Sequence, residues 1–467
     1  MYCSRNVFIL SDHPAYNYLS HISHCANDLY NAALFRERQL MSSSKKEVKD
    51  YSENEREVRN EFDLAVPYMK RSRVIPRSGF VSYAFLEEEM RVTRNPDYYN
   101  DGLPVQTAQN VIKHVCNNLR AFFEAQRAYS RDPSKFTARP QLPGYKHKGG
   151  LSSFDITNQD CVIRQNKKKH YVAKLPLTRE TISLGKDIPG ILKEVHVTPV
   201  NGRFQVSFVF DDGVAEPCLN ERPERIAAID LGVDNLMAVT NNCGLENLLY
   251  KGGVIKSVNR NYNKRIADIV SKQTKGSTDK FNPTEEYYQI TNRRNDRIKD
   301  QLLKTGKHFI TWCVENRIDT IVIGKNRFWK QEINIGKASN QKFVQIPFEQ
   351  LRNILAWQAS RHGITIIEQD ESYTSKASFT DNDVIPDYST GEIVSCVFKG
   401  KRVKRGLYQT GSGTLINADL NGAANILRKA FPEAFFTGVY PDFQNIRVIR
   451  HAEYEQCQVN RTKQLQK

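Results

Sequence analysis

The sequence predicts a multidomain α+β protein. A largely helical first third and a run of short strands precede an α/β domain. Three observations predict it. The chain has 467 residues, too many for one ordinary domain, and its 39% hydrophobic content is enough to bury a core. Leu19, Ile22, Ala26, Leu29 and Ala33 recur at three- and four-residue steps, as do Ala108, Val111, Ile112, Val115, Cys116, Leu119, Phe122 and Phe123, and this is the period of helix faces. Past the Pro- and Gly-bearing stretch Arg139–Lys146 the texture turns to short apolar runs, and from Ile226 to strands alternating with helices.

In chain order, residues 5–10 read as a strand and Pro14 opens the first helix. His21, His24 and Cys25 flank the apolar face of that helix; with no further ligands at metal spacing nearby, they read as packing. Residues 41–63, rich in Lys and Glu, read as an exposed helix or a connection. A second helix runs from about Val105 to Tyr129. Six short runs follow, from Ser153 to Phe210, closely spaced by turns and consistent with a small barrel. The stretch Arg225–Thr240 is an apolar strand that reaches Asp230, turns at Leu231-Gly232 and returns as a second strand. Next come a helix over Val254–Ile266, a polar break, and a long basic helix bearing Arg293, Arg294, Arg297, Lys299, Lys304 and Lys307, on which His308 reads as structural. A strand, Thr320–Gly324, precedes a helix with Pro347 at its first turn, where a missing N–H costs nothing. Another strand, Ile364–Ile367, leads to Glu368, Asp370 and Glu371, and a last helix opens at Asn417.

The formal charge is +16 with a pI near 9.3, which points to a partner rich in phosphate. No apolar run is long enough to span a bilayer, and the first residues lack a secretory signal, so a cytosolic protein without a membrane partner is expected. The nine cysteines are scattered with no C-x-x-C pair, which argues against a disulfide framework and a ribbon-type zinc site. Ser and Cys nucleophiles lack a convincing His partner, which disfavours covalent catalysis. Tyr145, Lys146, Lys148, Lys167 and Lys168 lie on or between the barrel strands, where Lys and aromatics can track a backbone and stack bases. The plainer alternative is a solvated barrel rim.

Asp230, Glu371 and Asp419 come from three separated segments that can converge at one sheet edge. Converging carboxylates repel unless cations neutralise them. Two Mg²⁺ ions about 3.5–4 Å apart, or Mn²⁺, would do so and would suit phosphodiester hydrolysis. Hard oxygen donors do not favour zinc. From spacing alone this is one arrangement among many, because most acids in such a chain are solvated.

Three motifs carry a resemblance. Ile229-Asp-Leu-Gly-Val-Asp-Asn235, Glu371-Ser-Tyr-Thr-Ser-Lys376 and Asn417-Ala-Asp-Leu-Asn-Gly-Ala-Ala-Asn-Ile426 resemble the RuvC-type signatures of TnpB (OrfB) proteins, which insertion sequences encode and which are related to compact type V CRISPR effectors. The resemblance covers about the last half of the chain and is looser upstream. It implies a RuvC/RNase H-like nuclease domain over 222–431, preceded by a wedge β-barrel (136–221, with its first strand at 1–12) and a helical recognition insert (13–135). Residues 432–467 would be a tail without assigned chemistry. It implies a metal-dependent, RNA-guided DNA endonuclease whose partners are a guide RNA and double-stranded target DNA with a short adjacent motif. The alternative is an RNA-guided DNA-binding repressor that does not cut; a strand-transfer enzyme on the same fold ranks last.

The chain departs from the family pattern twice. The family's second carboxylate is a Glu closing the strand equivalent to Thr320–Gly324, where this chain has Gly324 followed by Lys325-Asn-Arg327-Phe-Trp329-Lys330. Either the site is dead, or the acid has moved to the next strand end at Glu371, with Gly324 leaving room for its side chain; relocation is preferred, with Glu368 and Asp370 as fallbacks. The family's two C-x-x-C pairs are also missing. The segment 372–416 is then a zinc-ribbon-like insert without metal, retaining the basic residues Lys399, Lys401, Arg402, Lys404 and Arg405. These, with Arg327, Lys330 and Lys376, are the remaining expected nucleic-acid contacts, and a merely charged hairpin is the competing reading.

Overall fold

A computed structural model of the chain describes residues 1–68, 74–100, 102–217, 222–275, 280–325, 345–386, 397–436, 438–451 and 453. It divides into two compact units, Met1–Val214 and Ala215–Lys467.

The first unit begins with strand β1 (Tyr2–Ile9), then helices α1 (Tyr16–Ser43), α2 (Glu53–Ala65), α3 (Tyr83–Val92) and α4 (Val105–Arg131). Six strands follow: β2 (Phe154–Thr157), β3 (Val162–Gln165), β4 (Tyr171–Lys174), β5 (Thr181–Gly185), β6 (Ile191–Val200) and β7 (Arg203–Asp211). They form a sheet in the order β1-β7-β6-β2 and a second in the order β3-β4-β5. Where one barrel is expected, the described strands thus pair as two sheets; β3, β4 and β5 are four or five residues long and pair with one another. One apolar core joins Leu19, Ile22 and Leu29 of α1 and Val111, Ile112 and Val115 of α4 to Val195, Val206 and Phe208 of the sheet. Helices and strands here are therefore a single packing unit.

The Lys- and Glu-rich stretch 41–63 holds more order than its composition suggests. Ser52 and Glu55 form a capping box, and Val58, Phe62 and Ala65 are buried. Three apolar residues at helical spacing suffice to dock a helix whose other faces are charged. Lys46 pairs with the buried Glu55 at 2.7 Å.

The second unit is built on a six-stranded sheet. Its strands are β8 (Ile226–Leu231), β9 (Asn235–Asn241), β10 (Asn247–Lys251), β11 (Thr320–Lys325), β12 (Thr365–Asp370) and, after a small sheet of β13 (Lys401–Lys404), β14 (Leu407–Gln409) and β15 (Leu415–Asn417), the strand β16 (Ile446–Ile449). The order is β12-β11-β8-β9-β10-β16, with β12, β11 and β8 parallel and β8, β9 and β10 antiparallel. Within the segment expected to be a plain tail, β16 adds to β10 in parallel. The helices are α5 (Gly253–Thr274), α6 (Glu285–Glu315), α7 (Phe348–Ser360) and α8 (Ala418–Ala430).

Strand side chains alternate between faces, and the two cores divide accordingly. Ala227, Ile229, Ile321 and Ile323 pack with Leu302, Phe309, Leu351 and Leu355 of α6 and α7. Ile226, Ala228 and Val322 pack with Leu420, Ala424, Ile426 and Leu427 of α8. Asp230 and Gly324 continue the second series, so the alternation directs both toward α8.

Candidate active site

Asp230 is the fifth residue of β8, where an otherwise buried strand meets the surface. Its carboxylate lies over Gly422 of α8: a Cβ there would stand 2.8 Å from Oδ2. Only a residue without a side chain permits that approach. Asp419 sits one turn earlier on the same helix, and Asn417 caps that helix by accepting from the backbone N–H groups of Asp419 and Leu420 at 3.0 and 3.1 Å. The cap aims the first turn, and so Asp419, at the ends of the strands.

Glu371 follows β12. Its backbone N–H donates to the Lys325 carbonyl at 3.3 Å, extending the β11–β12 ladder by one bond. A Cβ at Gly324 would stand 2.8 Å from Glu371 Oε2 and 2.7 Å from Ile426 Cδ1. The Glu371 carboxylate thus lies across the neighbouring strand, in space that any other residue at 324 would take. The turn after it is tied to α8. Thr374 donates through Oγ1 to the Glu371 carbonyl at 2.8 Å, and Asn425 donates to the carbonyls of Thr374 and Ala377 at 2.9 and 2.7 Å. Asn421, one turn earlier on α8, donates to Ala377 at 2.8 Å and accepts from the Phe379 N–H at 3.0 Å. Both asparagines are fully buried. The second and third motifs are therefore one hydrogen-bonded device.

The electrostatics separate this group from the fallback acids. Burial, then the charges of Glu371 and Asp419, push the Asp230 carboxyl well above the usual carboxylate range, partly offset by Arg402. Burial also acts on Asp370, but hydrogen bonds from Ser372 and Lys429 outweigh it and hold that carboxyl low. Lys429 reaches Asp370 at 3.0 Å, and Glu368 is paired with Lys325. Those two acids already have cations. The charges of two other carboxylates act on Asp230, and the three supply hard oxygen donors, the kind that suits divalent Mg²⁺ or Mn²⁺.

The basic residues fall into three groups. Lys148, Lys167, Lys168, Lys376, Lys401 and Lys404 are exposed. Others are committed within the protein. Lys146 lies over the Tyr30 ring at 4.0 Å and bonds to Ser152, Tyr145 stacks under Arg38 at 4.5 Å, and Lys399 donates to the Asp381 carbonyl at 3.1 Å. Arg402, on the edge strand of the small sheet, and Arg405, in the turn after it, reach Asp419 at 3.2 Å and Asp234 at 2.5 Å. Arg327 and Lys330 lie outside the described residues, as do Cys218, Cys396 and Cys457. His308 accepts or donates a 2.9 Å bond with the Tyr250 hydroxyl, consistent with a structural role.

Sequence reasoning passed over several contributors. Asn235 donates to Asp419 Oδ2 at 2.7 Å and is held by Lys251 at 2.7 Å. Asn235, Asn421, Gly422 and Asn425 all stand inside the quoted motifs, and the four-residue spacing of the two α8 asparagines is a readable signal. A second cluster had no such signal. In the first unit Asp155 of β2 lies opposite His196 of β6 and bonds to it at 2.5 Å, while His114 of α4 bonds to Asp155 at 2.6 Å. Asp155, Glu194 and His196 are a group whose donor atoms lie within 4.8 Å of one another, a spacing compatible with a metal ion. Both nitrogens of His196 already face carboxylates, Asp155 and Glu194. That pattern suits an imidazolium that donates twice.

Comparison with known proteins bears on the class. The fold of the chain is that of Cas12-type effectors: a solved structure described as a Cas12f1–sgRNA–target DNA complex superposes with a TM-score of 0.52 at 12% identity, covering 87% of this chain and 81% of that one. Residues 214–329 match the OrfB_IS605 family, described as "probable transposase", and residues 348–426 match the Cas12f1-like TNB domain. The TnpB-like protein ORF457 of Acidianus two-tailed virus is 29% identical over 213 residues, 44% of this chain and 42% of that protein's length. Within its second unit the chain is therefore similar in sequence to TnpB/IS605 proteins, and it spans less than half the length of the curated relative it matches.

Proposed function

We propose that this protein is an RNA-guided, metal-dependent DNA endonuclease with a RuvC-like site formed by Asp230, Glu371 and Asp419. The observation that carries the reading is the Glu371 carboxylate lying over Gly324; on this reading the next strand supplies the acid missing at 324. The raised Asp230 carboxyl supports it, since the charges of Glu371 and Asp419 outweigh that of Arg402 there, a costly arrangement that divalent ions would relieve. Asp230, Glu371 and Asp419 would hold the ions, Asn235 would orient Asp419, and Asn421 and Asn425 would keep the Glu371 turn on α8. Bound Mg²⁺ supplies an activated water oxygen and stabilises the leaving oxygen of a phosphodiester. Guide RNA and double-stranded target DNA are the partners this function requires. The +16 charge and the exposed lysines support a polyanionic ligand, with base pairing reading the sequence and the protein reading shape and a short adjacent motif. Among the described residues no helix is long and apolar enough to cross a membrane.

Plasmid cleavage with co-expressed guide RNA and Mg²⁺ tests this. Wild type should cut and Glu371→Ala should not. Undiminished cutting by Glu371→Ala removes Glu371 from the site. Binding without cutting by wild type supports the repressor.

A further inference from the structure

Asp419 accepts hydrogen bonds on both carboxylate oxygens, from Asn235 on Oδ2 at 2.7 Å and from Arg402 on Oδ1 at 3.2 Å. Arg402 belongs to β13, in the insert that lies between the second and third motifs. Three residues on, Arg405 Nε lies 2.5 Å from Asp234, in the β8–β9 turn, where Lys256 also binds. The strand is thus fastened to the site through two guanidinium–carboxylate pairs. The Arg402 side chain is 45% exposed and that of Arg405 67%, so both pairs are open to competing ligands. Lys401 and Lys404 beside them are exposed.

Building on the nuclease reading of the three carboxylates, we propose that Arg402 is a built-in counter-cation of Asp419. Divalent ions displace it on loading and nucleic-acid phosphate captures it, so that nucleic-acid binding at the β13 strand promotes metal binding at the carboxylates. A guanidinium against Asp419 and a divalent ion on the same carboxylate repel each other at close range. A phosphodiester offers the guanidinium two acceptor oxygens in matching geometry, an exchange of one anionic partner for another. By linkage the effect is reciprocal: whatever factor nucleic acid adds to metal affinity, metal adds to nucleic-acid affinity. Such a device keeps the acid triad neutralised, and the metal weakly held, until substrate is present.

The test is Mn²⁺ titration of the full chain, followed by the paramagnetic signal of free Mn²⁺, with and without a single-stranded DNA oligonucleotide. For wild type the oligonucleotide should tighten Mn²⁺ binding about fivefold or more, the lower range of coupling between sites. Arg402→Gln should bind Mn²⁺ more tightly by a similar factor without DNA and lose most of the response to DNA. Arg402→Lys, which keeps the charge, should stay close to wild type without DNA, so that a gain seen only in the Gln variant reports charge and not altered folding. Unchanged or weakened Mn²⁺ binding in Arg402→Gln overturns the proposal. If Asp230→Asn weakens Mn²⁺ binding in that case, the metal site stands and Arg402 is a surface ion pair. If Asp230→Asn has no effect, the carboxylates do not bind metal and both readings fall.

Discussion

Asp155 and Asp230 both sit on strands of a sheet core, and the protein treats them in opposite ways. Burial would raise the Asp155 carboxyl, but hydrogen bonds and charge from His114 and His196 outweigh it and hold the group well below the usual range. Asp155 is a finished ion cluster. Asp230 is desolvated too, but there the charges of Glu371 and Asp419 outweigh that of Arg402, and its carboxyl is driven up. A buried acid among cations stabilises a fold; a buried acid among acids is held for something the chain does not supply. The contrast separates the cluster proposed as functional from a structural one without reference to any motif.

The sharpest way to break this contrast is to move the displaced acid. Glu371→Ala should lower cleavage more than about a hundredfold, because even outer-shell changes at metal sites cost 10–100-fold. Adding Gly324→Glu in that background should recover part of the activity, and Gly324→Glu alone should not be tolerated, since position 324 and the Glu371 side chain share one space. Single-turnover cleavage of a plasmid measures all three; no recovery in the double variant would mean that the position of the acid on the sheet, not only its presence, matters.

Next in size is the support beneath the site. Asn425→Ala removes the side-chain donor to the buried Thr374 carbonyl and leaves the Ala377 carbonyl with Asn421. It should cost about 1–3 kcal/mol in denaturant unfolding of the second unit. If stability holds, the turn that carries Glu371 is fastened by something else.

The histidine cluster should respond to pH. Hydrogen bonding to Asp155 is the main cause that raises both His114 and His196 above 6.5. Their contribution is therefore fully present below pH 6.5 and fades as pH rises through the raised folded values. That of Asp155 is present above its unfolded value of 3.8 and fades as pH falls through its lowered folded value. The clamp is strongest between these limits. Asp155→Asn should destabilise the first unit by about 1–2 kcal/mol near pH 5.5, after allowance for the exposed imidazoles, and by less near pH 9. A pH-independent difference would show that the imidazoles do not titrate between these two pH values.

The smallest effect belongs to single exposed cations. Lys401→Ala with Lys404→Ala should reduce the slope of log affinity against log salt for duplex DNA by up to about 1.8, at 0.9 per phosphate contact. An unchanged slope would place the duplex elsewhere.

The strand–turn–strand at Asp230, the helix opening at Asn417 and the periodic helices α1 and α4 were legible because each rests on local pattern: apolar alternation, a capping side chain, or a 3.6-residue repeat. The room at Gly324 was legible as a possibility, since a missing side chain can be noticed in one dimension. What could not be read was pairing between distant charges. Arg402 and Arg405 sit in a basic run that looks directed at solvent, and their acids lie 17 residues downstream and 171 upstream. Asp155, His114 and His196 come from a helix and two strands, and no spacing announces them. Docking of α2 was obscured because three apolar residues carry the contact within a stretch dominated by charge.

Gly324 has a further consequence. On the proposed reading, the site is defined by a point in space, and either of two chain positions on neighbouring strands can serve it. Because the Glu371 carboxylate fills the space that a side chain at 324 would take, an acid at one position excludes an acid at the other. Any tally that inspects position 324 alone would classify chains of this kind as inactivated. Whether a member of such a lineage retains its chemistry is then a question about residue pairs across adjacent strands, and counts of living and dead nucleases made from single positions will miss enzymes wherever the acid has changed strands.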